Sequence, residues 1–93
     1  KEVWNWDNKM LTSIDHYSDG YLSWTEDFTY NKKNQLERVD CYADRETVEY
    51  LYDGNKLNKS TYYYKGSIEE EYTFKYDGNK ISEIEIFYMD KLF

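Results

Sequence analysis

His16 and Cys41 are the residues of this chain whose types fit nucleophilic catalysis, in which an imidazole activates a thiol. Each lies five residues after a leucine, Leu11 or Leu36, at matching points of two similar stretches. In an antiparallel meander, matching points of neighbouring hairpins are two strands or roughly 10 Å apart, which exceeds hydrogen-bond reach. We therefore predict a face-lining histidine and a buried free cysteine, and no catalytic pair.

Acidic residues recur where the chain is predicted to turn, and repeated acidic turns can bind calcium in some repeat proteins. The residues at these corners are Asp7, Asp53 and Asp77, with Asn31 at the fourth. One carboxylate per corner cannot supply the roughly six to eight oxygen ligands that calcium takes. An Asx-turn, in which the side chain binds its own backbone, accounts for the same residue types. We predict no metal site and no cofactor.

A run of carboxylates at Glu69, Glu70 and Glu71, with Glu83 and Glu85, could suggest paired acid and base groups of the glycosidase kind. In a strand, however, Glu70 points to the face opposite Glu69 and Glu71. Nothing in the sequence indicates an enclosing cleft. A solvated face that protects a sheet edge is the ordinary interpretation, and we predict that the protein is not an enzyme.

Aromatic side chains are the strongest candidates for a binding surface, because they make up 20% of the chain. Exposed flat rings stack on sugars, whereas in a small protein poor in Leu and Val the same rings form the core. We predict that most are core, with a polysaccharide-binding platform and a protein interface as the alternatives. The residues that could form such a surface are Trp4, Trp6, Trp24, Tyr62, Tyr63 and Tyr64.

The elements that must position these residues follow from an internal repeat. An aromatic residue recurs at intervals of 24, 22 and 24 residues, at Trp6, Tyr30, Tyr52 and Tyr76. Three further positions follow it in each copy: Leu11, Leu36, Leu57 and Ile81; then Ile14, Val39, Ser60 and Ile84; then Tyr17, Tyr42, Tyr63 and Phe87. Agreement of four copies at these positions, with Ser60 as the one departure, indicates a repeated structural unit.

Turn signals and period-two alternation define that unit as a β-hairpin. Asp-Gly at 53–54 and 77–78, and glycines at 20 and 66, favour tight turns, whereas the second copy, "YNKKNQL" at 30–36, has no glycine and should turn less regularly. Aromatic and polar residues alternate before each corner, as in Tyr72, Phe74 and Tyr76.

We therefore predict an all-β fold, an antiparallel meander of seven or eight strands built from four hairpin repeats of 22–24 residues. Residues 1–93 form a single repeat domain, with repeats at about 4–27, 28–49, 50–73 and 74–93. The sheet should have one aromatic face. A single-layer sheet exposes that face to solvent. We therefore expect the sheet to be strongly twisted and curled, with the aromatic face covered either by barrel-like curling or by the partner chain of a dimer.

Charge narrows the classes of partner. The net charge is −7, with a pI of about 4.6, and no basic stripe gathers the lysines and arginines. This field repels nucleic acid and anionic membranes, and no apolar run reaches the ~18 residues of a membrane span. The partners that remain are a second copy in a homodimer, another protein domain or a polysaccharide.

The phrases "YDGNKL" at 52–57 and "YDGNKI" at 76–81 resemble the YD-type, RHS-like repeats of bacterial surface and secreted proteins. The motif is still more similar to the repeat motifs of extracytoplasmic repeat proteins and lipoproteins of gut Bacteroidetes. Lys56 and Lys80 stand where YD repeats usually have Arg, and Trp6 replaces the first tyrosine. The resemblance implies an exported hairpin array in the periplasm or at the cell surface. It also implies structural or binding work, with no catalytic residues to carry over.

Overall fold

A computed structural model describes residues 1–43 and 45–89. These residues form eight β-strands and no helix: β1 (Glu2–Asp7), β2 (Met10–Ser18), β3 (Tyr21–Tyr30), β4 (Leu36–Cys41), β5 (Glu46–Asp53), β6 (Lys56–Tyr64), β7 (Ser67–Asp77) and β8 (Lys80–Tyr88). The strands lie in one sheet in the order β1 to β8, and every neighbouring pair is antiparallel. The predicted all-β meander is therefore confirmed. Residue 44 and residues 90–93, which the second and fourth predicted repeats include, lie outside the described residues.

Two-residue turns join most of the strands. At Asp19–Gly20 the φ angles are 53° and 83°, and at Lys65–Gly66 they are 52° and 85°. Positive φ at both central residues is the requirement of a type I′ hairpin, and glycine meets it without steric cost. At the corners after Asp53 and Asp77 the aspartate itself ends a strand, so the central turn residues are glycine and asparagine rather than aspartate and glycine.

The connection from β3 to β4 is longer, as the missing glycine predicts. Asn31 organises it, because its Oδ1 accepts hydrogen bonds from the backbone N–H groups of Lys33 (2.9 Å) and Gln35 (3.0 Å). The Asn31 carbonyl also accepts from the N–H of Asn34, which has a φ of 62°. At this corner the polar side chain therefore binds its own backbone, as in an Asx-turn.

A one-residue β-bulge follows the turn in every hairpin of the described residues except β4–β5. The cross-strand pairs at the corners are Trp6–Leu11, Tyr30–Leu36, Tyr52–Leu57 and Tyr76–Ile81. The residue after each aliphatic partner is the extra, unpaired residue of the bulge. As a result, the residue three positions after the aliphatic partner, instead of two, lies on the same face of the sheet. This bulge explains the three-residue spacing from Leu11 to Ile14, which regular alternation does not allow.

The described part of the sheet is open rather than closed into a barrel, since β1 and β8 are its two edges. Its extents are 47 × 44 × 19 Å. A flat single layer would be much thinner than 19 Å, so the sheet is twisted.

Burial within this single layer is shallow. Ile14, which is 8% exposed, is the only buried apolar side chain among the described residues, and Thr61 is the buried polar one. All nine residues of β8 are exposed. The layer therefore has no second layer of described residues packed against either face.

Candidate binding surface at the N-terminal edge

Two tryptophans lie side by side on the edge strand β1. Trp4 and Trp6 are 51% and 57% exposed, their ring centroids are 6.4 Å apart, and their planes are inclined by 33°. Residues two apart in a strand share a face, so both rings point to the same side of the sheet. Trp4 lies opposite Ile14, and Trp6 lies opposite Leu11.

His16 continues this surface into the neighbouring strands. Its ring stacks on that of Trp24 in β3, with the centroids 3.6 Å apart and the planes inclined by 11°. The two residues are direct cross-strand partners, which is the arrangement that brings side chains of adjacent strands closest.

Two carboxylates flank the imidazole. The Nε2 atom of His16 lies 2.8 Å from Oε1 of Glu26, and its Nδ1 atom lies 3.3 Å from Oε2 of Glu2. A neutral imidazole can donate to only one of these carboxylates, whereas an imidazolium donates to both. The indole N–H of Trp4 also donates to Glu2 at 3.4 Å.

We call this set of side chains the N-terminal aromatic patch; its members are Glu2, Trp4, Trp6, His16, Trp24 and Glu26. It combines exposed flat rings with carboxylate oxygens that accept hydrogen bonds. Such a combination can stack on a ring-shaped ligand and bind the hydroxyl groups at its rim.

The predicted tyrosines do not join this patch. Tyr62, Tyr63 and Tyr64 lie in β6, three strands from Trp24. Tyr62 lies opposite Val48, whereas alternation places Tyr63 on the other face of the sheet. Burial raises the pKa of Tyr62, and the nearby carboxylate of Glu46 adds to the effect. The six candidate aromatics therefore do not form one surface.

Cys41 is also separated from His16, in β4 rather than β2. Its cross-strand partners are Glu26 and Glu46. His16 contacts Glu26, so a carboxylate occupies the position next to the imidazole. This placement agrees with the predicted separation of two strands.

Three carboxylates of the predicted acidic run, those of Glu71, Glu83 and Glu85, have ion-pair partners within the sheet. Glu71 lies 3.1 Å from the Nζ atom of Lys59, and Lys75 bridges Glu83 (3.4 Å) and Glu85 (2.7 Å). In residues 1–43 and 45–89 no group of three or more His, Cys, Asp or Glu side chains is placed to hold a metal ion. These carboxylates serve as ion-pair partners on strand surfaces.

Sequence reasoning missed Glu2 and Glu26 as partners of His16, and the reason is a bulge. A regular hairpin turning at Asp19–Gly20 would pair His16 with Ser23. The bulge at Ser23 instead pairs His16 with Trp24 and Ile14 with Glu26. The signal available in the sequence was the broken alternation after each turn, which marks a bulge.

Comparisons with protein-family models, with curated proteins and with solved structures find no match. Within the described ranges, no helix is long and apolar enough to cross a membrane.

Proposed function

We propose that this protein is a non-enzymatic β-hairpin repeat module with a structural or protein-interaction role, built from four hairpin units. The observation that carries the proposal is the open single-layer sheet, in which Ile14 is the only buried apolar side chain of the described residues. A sheet with this little burial gains stability when another surface covers it.

The apolar side chains of the C-terminal strand support this role. Ile84 and Ile86 are each 49% exposed, and Tyr88 is 58% exposed. Alternation places the three on one face, and their partners Phe74 and Tyr72 in β7 extend the same surface. Full burial of such a side chain contributes roughly 1.5–3 kcal/mol, so a partner that covers several of them binds favourably.

The partner we propose is a second copy of the chain or a docking domain of another protein. The acidic charge of −7 disfavours nucleic acid as a partner. The "YDGNKL" motif resembles the repeats of exported proteins, and this resemblance supports a location in the periplasm or at the cell surface.

Sedimentation equilibrium at micromolar concentration tests whether a second copy of the chain covers the face that carries Ile84, Ile86 and Tyr88. We expect a mass above the 11.4 kDa of the single chain. Ile86→Lys should weaken association, because it places a charge on the covered face. Phe87→Lys is the matched control, since Phe87 neighbours Ile86 in the same strand, is 62% exposed and points to the opposite face. A wild-type mass near 11.4 kDa would count against the second copy, and equal behaviour of the two variants would count against the face.

A second function, carbohydrate binding, is favoured by one specific observation. Trp4 and Trp6 are both more than half exposed and lie on one face of an edge strand, beside carboxylates that can accept hydroxyl hydrogen bonds. Titration with soluble β-glucan and dextran should change tryptophan fluorescence, and Trp6→Ala should abolish the change. Tyr88→Ala, at an exposed aromatic on the opposite edge, should leave it intact. Unchanged emission with both polysaccharides would contradict this function for neutral glucans.

A further inference from the structure

The corners of the sheet are joined by a hydrogen bond that recurs from hairpin to hairpin. The hydroxyl of Tyr30 donates to the carbonyl of Leu11 at 2.8 Å. In the same way Tyr52 donates to the carbonyl of Leu36 at 2.8 Å, and Tyr76 donates to that of Leu57 at 2.7 Å. Each corner tyrosine therefore donates to the carbonyl of the aliphatic residue within the first two positions of the preceding hairpin's second strand.

A second contact runs in the opposite direction between the same corners. The side-chain amide of Gln35 donates to the carbonyl of Gly54 at 2.9 Å, and the ammonium of Lys56 donates to the carbonyl of Gly78. The Lys56 ammonium also lies 5.4 Å from the centre of the Tyr76 ring, within the range of a cation–π interaction. One corner thus offers a carbonyl and a donor side chain, either the amide of Gln35 or the ammonium of Lys56, and the next supplies a tyrosine and a glycine carbonyl.

The last corner has the same two groups at the edge of the sheet. Ile81 pairs with Tyr76 as Leu57 pairs with Tyr52, and Lys80 precedes Ile81 as Lys56 precedes Leu57. No strand of the described residues lies on the outer side of β8. The Ile81 carbonyl and the Lys80 ammonium are therefore in the positions from which the earlier corners bind their neighbours.

We propose that the outer edge of β8 binds an antiparallel strand of a second polypeptide that ends in a Tyr-Asp-Gly corner. The tyrosine hydroxyl of that strand donates to the carbonyl of Ile81, and its glycine carbonyl accepts from Lys80. An exposed strand with unpaired backbone groups is a template for such pairing. This inference rests on the proposed interaction role, but it concerns the edge of the sheet rather than its face.

The register of β6 on β7 defines the chemistry of the partner strand. There Lys59 lies opposite Thr73, and Ser60 lies opposite Tyr72. The equivalent positions in β8 are Glu83 and Ile84, and Glu85 follows. The partner therefore carries an apolar residue opposite Ile84 and neutral or basic residues opposite the two glutamates, because like charges in direct cross-strand pairs repel.

The first strand of a second copy does not meet these requirements. Its corner has Trp6 in place of tyrosine, and Asn8 stands where the later corners have glycine. The indole has no hydroxyl to donate to Ile81. We therefore assign the edge to a strand with the tyrosine corner and not to β1 of another copy.

The test is a titration of the labelled whole chain with a peptide of residues 69–80 carrying Glu71→Lys, followed by amide chemical shifts. In the proposed register this peptide places Tyr72 opposite Ile84, Thr73 opposite Glu83 and the new basic side chain opposite Glu85. We expect saturable shifts at residues 80–88. Replacing Tyr76 by Phe in the peptide removes only the hydroxyl and should weaken binding about 2- to 10-fold, the effect of one hydrogen bond. Lys80→Ala in the protein should weaken binding in the same direction.

Three results would overturn the proposal: no saturable binding, shifts confined to residues 1–7, or equal affinity for the peptides with Tyr76 and with Phe. Failure of the proposed strand binding at the β8 edge is distinguishable from failure of the proposed function. The comparison of Ile86→Lys with Phe87→Lys measures association through the face of the sheet without the peptide.

Discussion

The hydroxyl of Tyr52 donates a 2.8 Å hydrogen bond to the backbone carbonyl of Leu36, which joins one hairpin corner to the corner before it. Tyr52→Phe removes this hydrogen bond and little else. We expect a loss of about 1 kcal/mol in the free energy of unfolding, measured by urea denaturation. Tyr50→Phe is the control, because Tyr50 is half-buried in the same strand and its hydroxyl has no such bond. Equal losses in the two variants would show that the corner bond contributes nothing.

Truncation of Ile14, the one buried apolar side chain in residues 1–43 and 45–89, should destabilise the fold more than truncation of an exposed apolar side chain. Ile14 is 8% exposed and lies between Trp4 and Glu26 in the ladder. Ile14→Ala should cost about 2 kcal/mol, the low end of the range for core truncations, because the cavity can partly fill with solvent. Ile84→Ala, at a site 49% exposed, should cost less than about 1 kcal/mol. Urea midpoints of the two variants test the difference, and a larger loss for Ile84→Ala would contradict it.

The stack of His16 on Trp24 should appear as a coupling energy. With the ring centroids 3.6 Å apart, we expect about 0.5–1.5 kcal/mol in a double-mutant cycle of His16→Ala and Trp24→Ala. A cycle of His16→Ala with Tyr88→Ala provides the control, because Tyr88 lies on the far edge strand. Strict additivity of the first cycle would rule out an energetic role for the stack.

Alkaline pH should weaken the fold through Tyr72. The hydrogen bond from its hydroxyl to Glu70, which is 2.6 Å long, is the main cause that raises the pKa of Tyr72 from 10.0 to about 12, and burial adds to it. The unfolded chain releases this proton near pH 10, before the folded chain does. The stabilisation is therefore fully present below pH 10 and is lost as the pH rises from 10 to about 12.

The measurement is the urea midpoint of the wild type and of Tyr72→Phe across this pH range. The stability advantage of the wild type should fall as the pH rises. The pKa of Tyr42 is also raised, mainly by a hydrogen bond to Asp27, and the pKa of Tyr52 is raised by burial. Both tyrosines are present in the wild type and in the variant, so their titration does not contribute to the difference between the two proteins. Glu70→Gln should bring the pKa of Tyr72 back towards 10.0. A difference between wild type and variant that stays constant with pH would contradict the assignment.

Much of the fold could be predicted from the sequence, because its signals are local. Alternation such as Tyr72, Phe74 and Tyr76 indicates a strand, and glycines at 20 and 66 indicate its turns. A chain that turns tightly after each strand can only pair neighbours in sequence order, so the meander follows. The candidate surface was predicted in part: Trp4, Trp6 and Trp24 were named, but their partners Glu2 and Glu26 were not.

The sequence by itself determined the strands, the turns and their order, since backbone geometry and side-chain alternation act over a few residues. Only the tertiary structure decided that the sheet stays open, and that a bulge at Ser23 brings His16 against Trp24 and Glu26. Both outcomes depend on register and twist summed over several strands. A shift of one residue changes which side chains meet across a ladder, and broken alternation can mark a bulge without identifying the cross-strand partners that the bulge creates.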